Sequence, residues 1–139
     1  MQRILYWLRI SGFFLIAIGL LSGCGIKKQE NIKGKKLEYT VVEELSIPEE
    51  LKEMIEEKKV TEFQISYADG EALYLTVGYG EQKTGGYSIV VEKLTETEDG
   101  IYLETNLLGP DKEEKVSQRA SYPYIVIKTE FCDKEIYYK

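Results

Sequence analysis

A short apolar stretch near the start sets the limits on what this chain can fold into. From Ile10 to Leu21 it runs Ile-Ser-Gly-Phe-Phe-Leu-Ile-Ala-Ile-Gly-Leu-Leu, with no charge in twelve residues. A stable membrane-spanning helix needs ~20 apolar residues, so the run is too short for one. The first nine residues carry Arg3 and Arg9 and no acid. A basic segment followed by a short apolar one is the layout of a secretory signal. With it set aside, the 139-residue chain has room for one domain, since single domains run to ~100–150 residues. Beyond residue 23 there are 16 basic and 24 acidic side chains, a net of −8. That balance excludes a nucleic-acid partner, because binding phosphates needs a basic face.

The residues just after the apolar run strengthen the signal reading. Leu21-Ser22-Gly23-Cys24 resembles the bacterial lipobox: an aliphatic residue, two small ones, then cysteine. Small residues let the backbone lie extended in a peptidase cleft, and the Cys24 thiol is the nucleophile that takes up diacylglycerol. Two or three acyl chains give stable anchoring, where one binds only marginally. The competing reading is an uncleaved membrane helix from Ile4 to Leu21, which would hold Arg9 inside its span. We therefore expect a signal peptide at 1–23 and a palmitate-bearing Cys24 that fixes the protein to the cell membrane on its extracytoplasmic face. Residues 24–36, with five lysines and few apolar side chains, read as a flexible tether.

From Leu37 the patterning changes, and we expect the extracytoplasmic domain at 37–139. Leu37, Tyr39 and Val41 alternate with polar residues as in a half-buried strand. Ser46-Ile47-Pro48-Glu49 has the form of a helix start, with Ser46 as cap, Pro48 in the first turn and Glu49 completing a capping box. Ile47, Leu51, Met54 and Ile55 then recur at helical spacing. Period-two runs follow at Thr61–Ala68, Ala72–Tyr79, Tyr87–Thr95, Ile101–Leu108 and Tyr122–Thr129, with a short edge strand at Glu135–Tyr138. Asp69-Gly70 and Asp99-Gly100 supply tight turns. The expected fold is mainly β or α+β: about six antiparallel strands in a small sheet or sandwich, with one short amphipathic helix.

No catalytic constellation emerges. Histidine is absent, which removes the usual general base and the commonest metal ligand. With Cys24 lipidated, Cys132 is the only thiol, and Glu130 or Asp133 beside it would disfavour the thiolate. Glu96, Glu98 and Asp99 lack the spacing of a calcium loop and read as a solvated hairpin tip. We expect no enzyme activity, no metal and no cofactor. Two segments stand out instead. Thr84-Gly85-Gly86-Tyr87 permits a sharp turn that presents its main chain as a protein-contacting edge, or serves only as a bulged strand connection. Tyr122-Pro123-Tyr124 places a proline at a strand start between two tyrosines, a residue type frequent both at interfaces and in strands.

The run Gly80-Glu81-Gln82-Lys83-Thr84-Gly85-Gly86-Tyr87-Ser88-Ile89, followed about 35 residues later by Tyr122-Pro123-Tyr124-Ile125-Val126, resembles the C-terminal domain of the protease-complex subunit PrcB family. The helix start Ile47-Pro48-Glu49-Glu50-Leu51 is similar too, so the resemblance extends from about Leu37 to Lys128. It implies a non-catalytic lipoprotein that associates with and stabilises a cell-surface serine protease complex. The residues expected at the contact are Thr84, Gly85, Gly86, Tyr87, Tyr122, Pro123 and Tyr124. A looser analogy connects the same pair of segments with small β-sandwich cysteine-protease inhibitors. A protease inhibitor presenting the Thr84–Tyr87 loop and a small-molecule-binding lipoprotein therefore stay open as alternatives.

Overall fold

The computed structural model describes residues 34–139; the expected signal segment, Cys24 and the tether up to residue 33 lie outside the described residues. Eight strands form two four-stranded sheets. They are β1 (Lys35–Lys36), β2 (Thr40–Val41), β3 (Glu62–Ala68), β4 (Ala72–Tyr79), β5 (Ser88–Glu96), β6 (Ile101–Leu108), β7 (Tyr124–Glu130) and β8 (Ile136–Tyr138). One sheet has the order β1-β5-β6-β8 and the other β2-β7-β4-β3. A 3-10 turn (Glu44–Ser46) and one helix, α1 (Glu49–Lys58), lie between β2 and β3. The mainly β architecture with one helix is as expected, while the six antiparallel strands become eight, and β8 runs parallel to β6.

The added pairing lies at the start of the fold: β1 falls at the end of the expected tether, and β2 in the segment read as a single run at Leu37–Val41. Lys35 and Lys36 pair with Glu96 and Thr95 in the first sheet, so the fold already includes the end of the expected tether. Leu37 N–H donates to Leu94 O, and the chain then crosses to the second sheet, where Thr40 and Val41 pair with Lys128 and Ile127. One apolar alternation thus serves two sheets.

Side-chain alternation along β4 builds both cores. Leu73, Leu75 and Val77 point toward the first sheet and join Leu94, Ile101, Leu103 and Ile127. Ala72 and Tyr74 point the other way and join Phe63, Ile65 and Val126 beneath Ile47, Leu51 and Ile55. The second sheet is therefore the middle layer, between helix and first sheet. Leu51 and Ile55 are 0% and 1% exposed, and each such burial contributes about 1.5–3 kcal/mol. Gly78 makes room in this layer: Phe63 is its cross-strand neighbour and lays its ring over the position a Cβ would occupy.

The helix starts differently from the sequence reading. Ser46 does not cap it. Its N–H donates to Glu43 O within the 3-10 turn, and Ile47 turns into the core at 5% exposure. Pro48 stands at the N-cap, without a side-chain bond. Glu49 and Glu50 in the first turn and Lys58 in the last suit the helix dipole. Tyr67 Oη donates to Glu50 Oε2 at 2.9 Å, tying the helix start to β3.

The β3–β4 turn supplies a pH-dependent element. Asp69 Oδ1 accepts the N–H groups of Ala72 (2.8 Å) and Glu71 (3.0 Å), and these bonds hold its carboxyl below the ordinary carboxylate range. A lowered folded-state pKa means stability that is full above the unfolded value and lost as pH falls through the folded one. We expect Asp69→Asn to flatten the decline in melting temperature below about pH 4. An unchanged slope would remove Asp69 from that role.

Candidate functional site

The two segments singled out in the sequence meet at one end of the molecule. Gly80 follows β4 with a φ of +72°, and a Cβ there would lie 3.1 Å from the Glu62 nitrogen at the start of β3. The loop beyond it is pinned from two sides. Glu81 N–H donates to Val60 O (3.0 Å), while Gln82 and Ser121 exchange two main-chain bonds of 2.8 and 2.9 Å. Ser121 Oγ donates to Thr84 O at 2.6 Å, and Gly85 N–H donates to Ser117 O at 2.8 Å. Gly86 has a φ of +86° and sits against Val116 and Pro110.

This geometry alters the expected role of the glycines. The Glu81, Gln82 and Gly85 N–H groups are already committed inside the molecule, so that part of the main chain is not available to a partner. What reaches solvent is Glu81, Lys83 and Gly86, with Thr84 and Tyr87 half-buried beside them. Tyr87 lies next to Gly109, where an added Cβ would be 3.5 Å from its ring.

The Tyr122–Tyr124 segment splits between two surroundings. Tyr122 Oη donates to Glu81 Oε2 at 3.3 Å, and Lys59 Nζ lies 5.4 Å from its ring centre. Pro123 contributes its carbonyl to Tyr79 N–H at 3.0 Å and, having no donor of its own, fits just before β7. Tyr124 turns away from the loop. It lines a groove of about 460 Å³ along the helix with Glu44, Glu49, Glu53, Glu56 and Glu57. Burial, then Glu44 and Glu56, push its phenol pKa up. Thr84, Gly85, Gly86 and Tyr122 thus belong to one pinned surface with Tyr87 at its edge, and Tyr124 belongs to the helix side.

Ser117, Ser121, Val116 and Pro110 hold the glycine loop in place and were unremarked in the sequence. They lie in the Pro110–Ser121 segment, which has no period to read. The only local hint is the glycine-proline pair at its entry.

The remaining candidates have structural surroundings. Cys132 S–H donates to Glu96 Oε1 at 3.5 Å; burial first, then Glu96, raise its pKa and keep the thiol protonated. The acid beside it is therefore chiefly Glu96, with Asp133 a lesser influence and Glu130 not involved. Glu96 also meets Lys134 Nζ at 3.1 Å, which holds its carboxyl below the usual range. At the Asp99-Gly100 turn, Thr97 Oγ1 accepts the Asp99 and Gly100 N–H groups. Among the described residues no group of three or more acidic, cysteine or histidine side chains is placed to hold a metal ion.

Comparison with known proteins adds one finding. Residues 73–130 match the family described as PrcB C-terminal. The stretch runs from the second residue of β4 to the last of β7 and takes in both segments of the pinned surface. It is shorter than the Leu37–Lys128 extent read from the sequence, and it leaves out the helix start. No curated protein and no solved structure matches the chain. From Leu73 to Glu130, less than half of its length, the chain resembles the PrcB C-terminal family.

Proposed function

We propose that this chain is a non-catalytic, lipid-anchored subunit that binds and stabilises an exported partner, a cell-surface protease complex. The observation that carries the reading is that the family resemblance spans the Gly80–Tyr87 loop and the Ser117–Tyr124 segment, which are bonded to one another rather than merely near in sequence. A loop fixed by this many bonds loses little freedom on binding, and that lowers the cost of association. The protonated thiol of Cys132 and the lack of histidine favour a binding role over a catalytic one.

The test is affinity capture from intact membranes with the parent protein, Tyr122→Ala and Cys24→Ala. We expect the parent to recover an exported protease, Tyr122→Ala to recover about tenfold less, and Cys24→Ala to lose the incorporation of labelled palmitate that the parent shows. Recovery of no exported protein by the parent overturns the subunit reading. Equal incorporation of label by Cys24→Ala overturns the anchor. Inhibition of the recovered protease by the isolated protein would move the assignment to an inhibitor.

A further inference from the structure

Strand β5 is longer than the strand beside it. On the side away from β6, β1 covers Glu96 and Thr95, and Leu37 bonds to Leu94. Among the described residues nothing pairs with β5 on that side from Ser88 to Lys93. The register shows which main-chain groups face the opening. Lys139 N–H donates to Leu103 O and Thr105 N–H donates to Lys139 O, so Leu103 and Thr105 turn their main-chain groups toward β8. By the alternation of antiparallel strands, Glu104 and Asn106 turn theirs to β5. Val90, opposite Asn106, is thus bonded to β6, while Ile89 and Val91 turn N–H and C=O outward.

Other sheet edges in this molecule are blunted. Tyr138 Oη donates to Ile65 O at 3.0 Å and bonds with Ser66 Oγ at 2.7 Å, covering β3. β1 and β2 are two residues each, and β1 carries two lysines. Ser88-Ile89-Val90-Val91 has none of these devices: it is uncharged, and the bulge between Val91 and Lys93 comes only after it. A bare apolar edge is a liability unless something covers it. Val90 and Leu108 on the outer face of this ribbon are 41% and 44% exposed, and the ribbon starts immediately after Tyr87.

We propose that an extended segment of the exported partner adds to β5 as an antiparallel strand, hydrogen-bonded to Ile89 and Val91. This rests on the binding-subunit reading and gives it a mode of recognition. The edge already accepts one antiparallel segment, β1, at its other end. The segment it takes is uncharged for about four residues, matching the strand it lies against. A second copy of this chain is the poorer occupant, because residues 34–139 carry 13 basic and 23 acidic side chains and two copies repel.

Full-length lipidated protein is compared with Ile89→Val and Ile89→Pro by capture from membranes, and the captured partner is purified for hydrogen exchange. Proline at 89 removes an outward donor and leaves the β5–β6 ladder intact. We expect Ile89→Val to capture like the parent, Ile89→Pro to capture about tenfold less, and the Ile89 and Val91 amides to exchange about tenfold more slowly with partner bound. If a folded Ile89→Pro captures as well as the parent, or the two amides stay unprotected in the complex, the strand-addition mode is overturned and the subunit reading stands. If Ile89→Pro does not fold, exchange in the parent decides. Protection that rises with the protein's own concentration assigns the edge to a second copy and overturns the proposal. If the parent recovers nothing, both readings fall together.

Discussion

Gly78→Ala is expected to lower stability by about 3 kcal/mol, at the upper end of what overpacking a core costs. The added Cβ would fall on the Phe63 ring, whose displacement opens the layer between helix and middle sheet. Backbone strain does not contribute, since Gly78 is not among the positive-φ glycines and lies within a regular strand. For a domain of this size the loss corresponds to a fall in melting temperature on the order of 10–20 °C. The cause is checked by a double-mutant cycle with Phe63→Leu, which removes the obstructing ring. The two changes together should cost at least about 1 kcal/mol less than their sum. Additive losses would show that the clash is not the reason for glycine at this position.

The paired glycines should respond differently to the same substitution. Gly86→Ala places a side chain at a φ of +86° and drives its Cβ into Val116 and Pro110. Left-handed backbone costs roughly 1–2 kcal/mol for a non-glycine residue, and the crowding adds about as much again. Gly85 is free of both difficulties: its φ is not in the left-handed region, and an added Cβ would lie 3.5 Å from Ser117, an ordinary contact. Gly85→Ala should therefore stay within about 0.5 kcal/mol of the parent. Thermal melts of the two variants provide the comparison, with exchange of the Gly85 amide reporting whether the bond to Ser117 survives. Equal losses would show that the loop is held by something other than its seat on Val116 and Pro110.

The fold was legible where the alternation of side chains separates the two faces of a strand. Leu73, Leu75 and Val77 against Tyr74 separated the two faces of β4 correctly, although both proved to be buried. Alternation reports the face of a strand but not the sheet it joins, which is why Leu37–Val41 read as a single strand and the parallel pairing of β8 went unseen. Ser46 failed as a cap because burial of Ile47 and the 3-10 turn took the chain elsewhere, a tertiary demand stronger than a local motif. At the candidate site, glycine chemistry marked the loop, but its supports in Pro110–Ser121 lie in irregular structure, where bonds to main-chain carbonyls leave no compositional trace. Tyr124 shares its local motif with Tyr122, yet Tyr122 lies before β7 and reaches Glu81 while Tyr124 opens the strand and packs against the helix-side core.

Both ends of the described chain are stitched into the middle of the fold. Thr129 Oγ1 donates to Glu38 O across 91 residues, and Tyr138 bonds to Ile65 across 73. Of the outer strands, β3 pairs with its neighbour β4 in a hairpin and β1 with β5, whereas β2 waits for β7 and β8 is added last. The β2–β7 closure spans a long loop before it brings any return in contacts. Such topologies fold on the order of milliseconds to seconds. Until β8 docks, β3 and β6 both lack their final neighbours, so a chain truncated before Ile136 would expose sticky strand margins and be drawn toward aggregation.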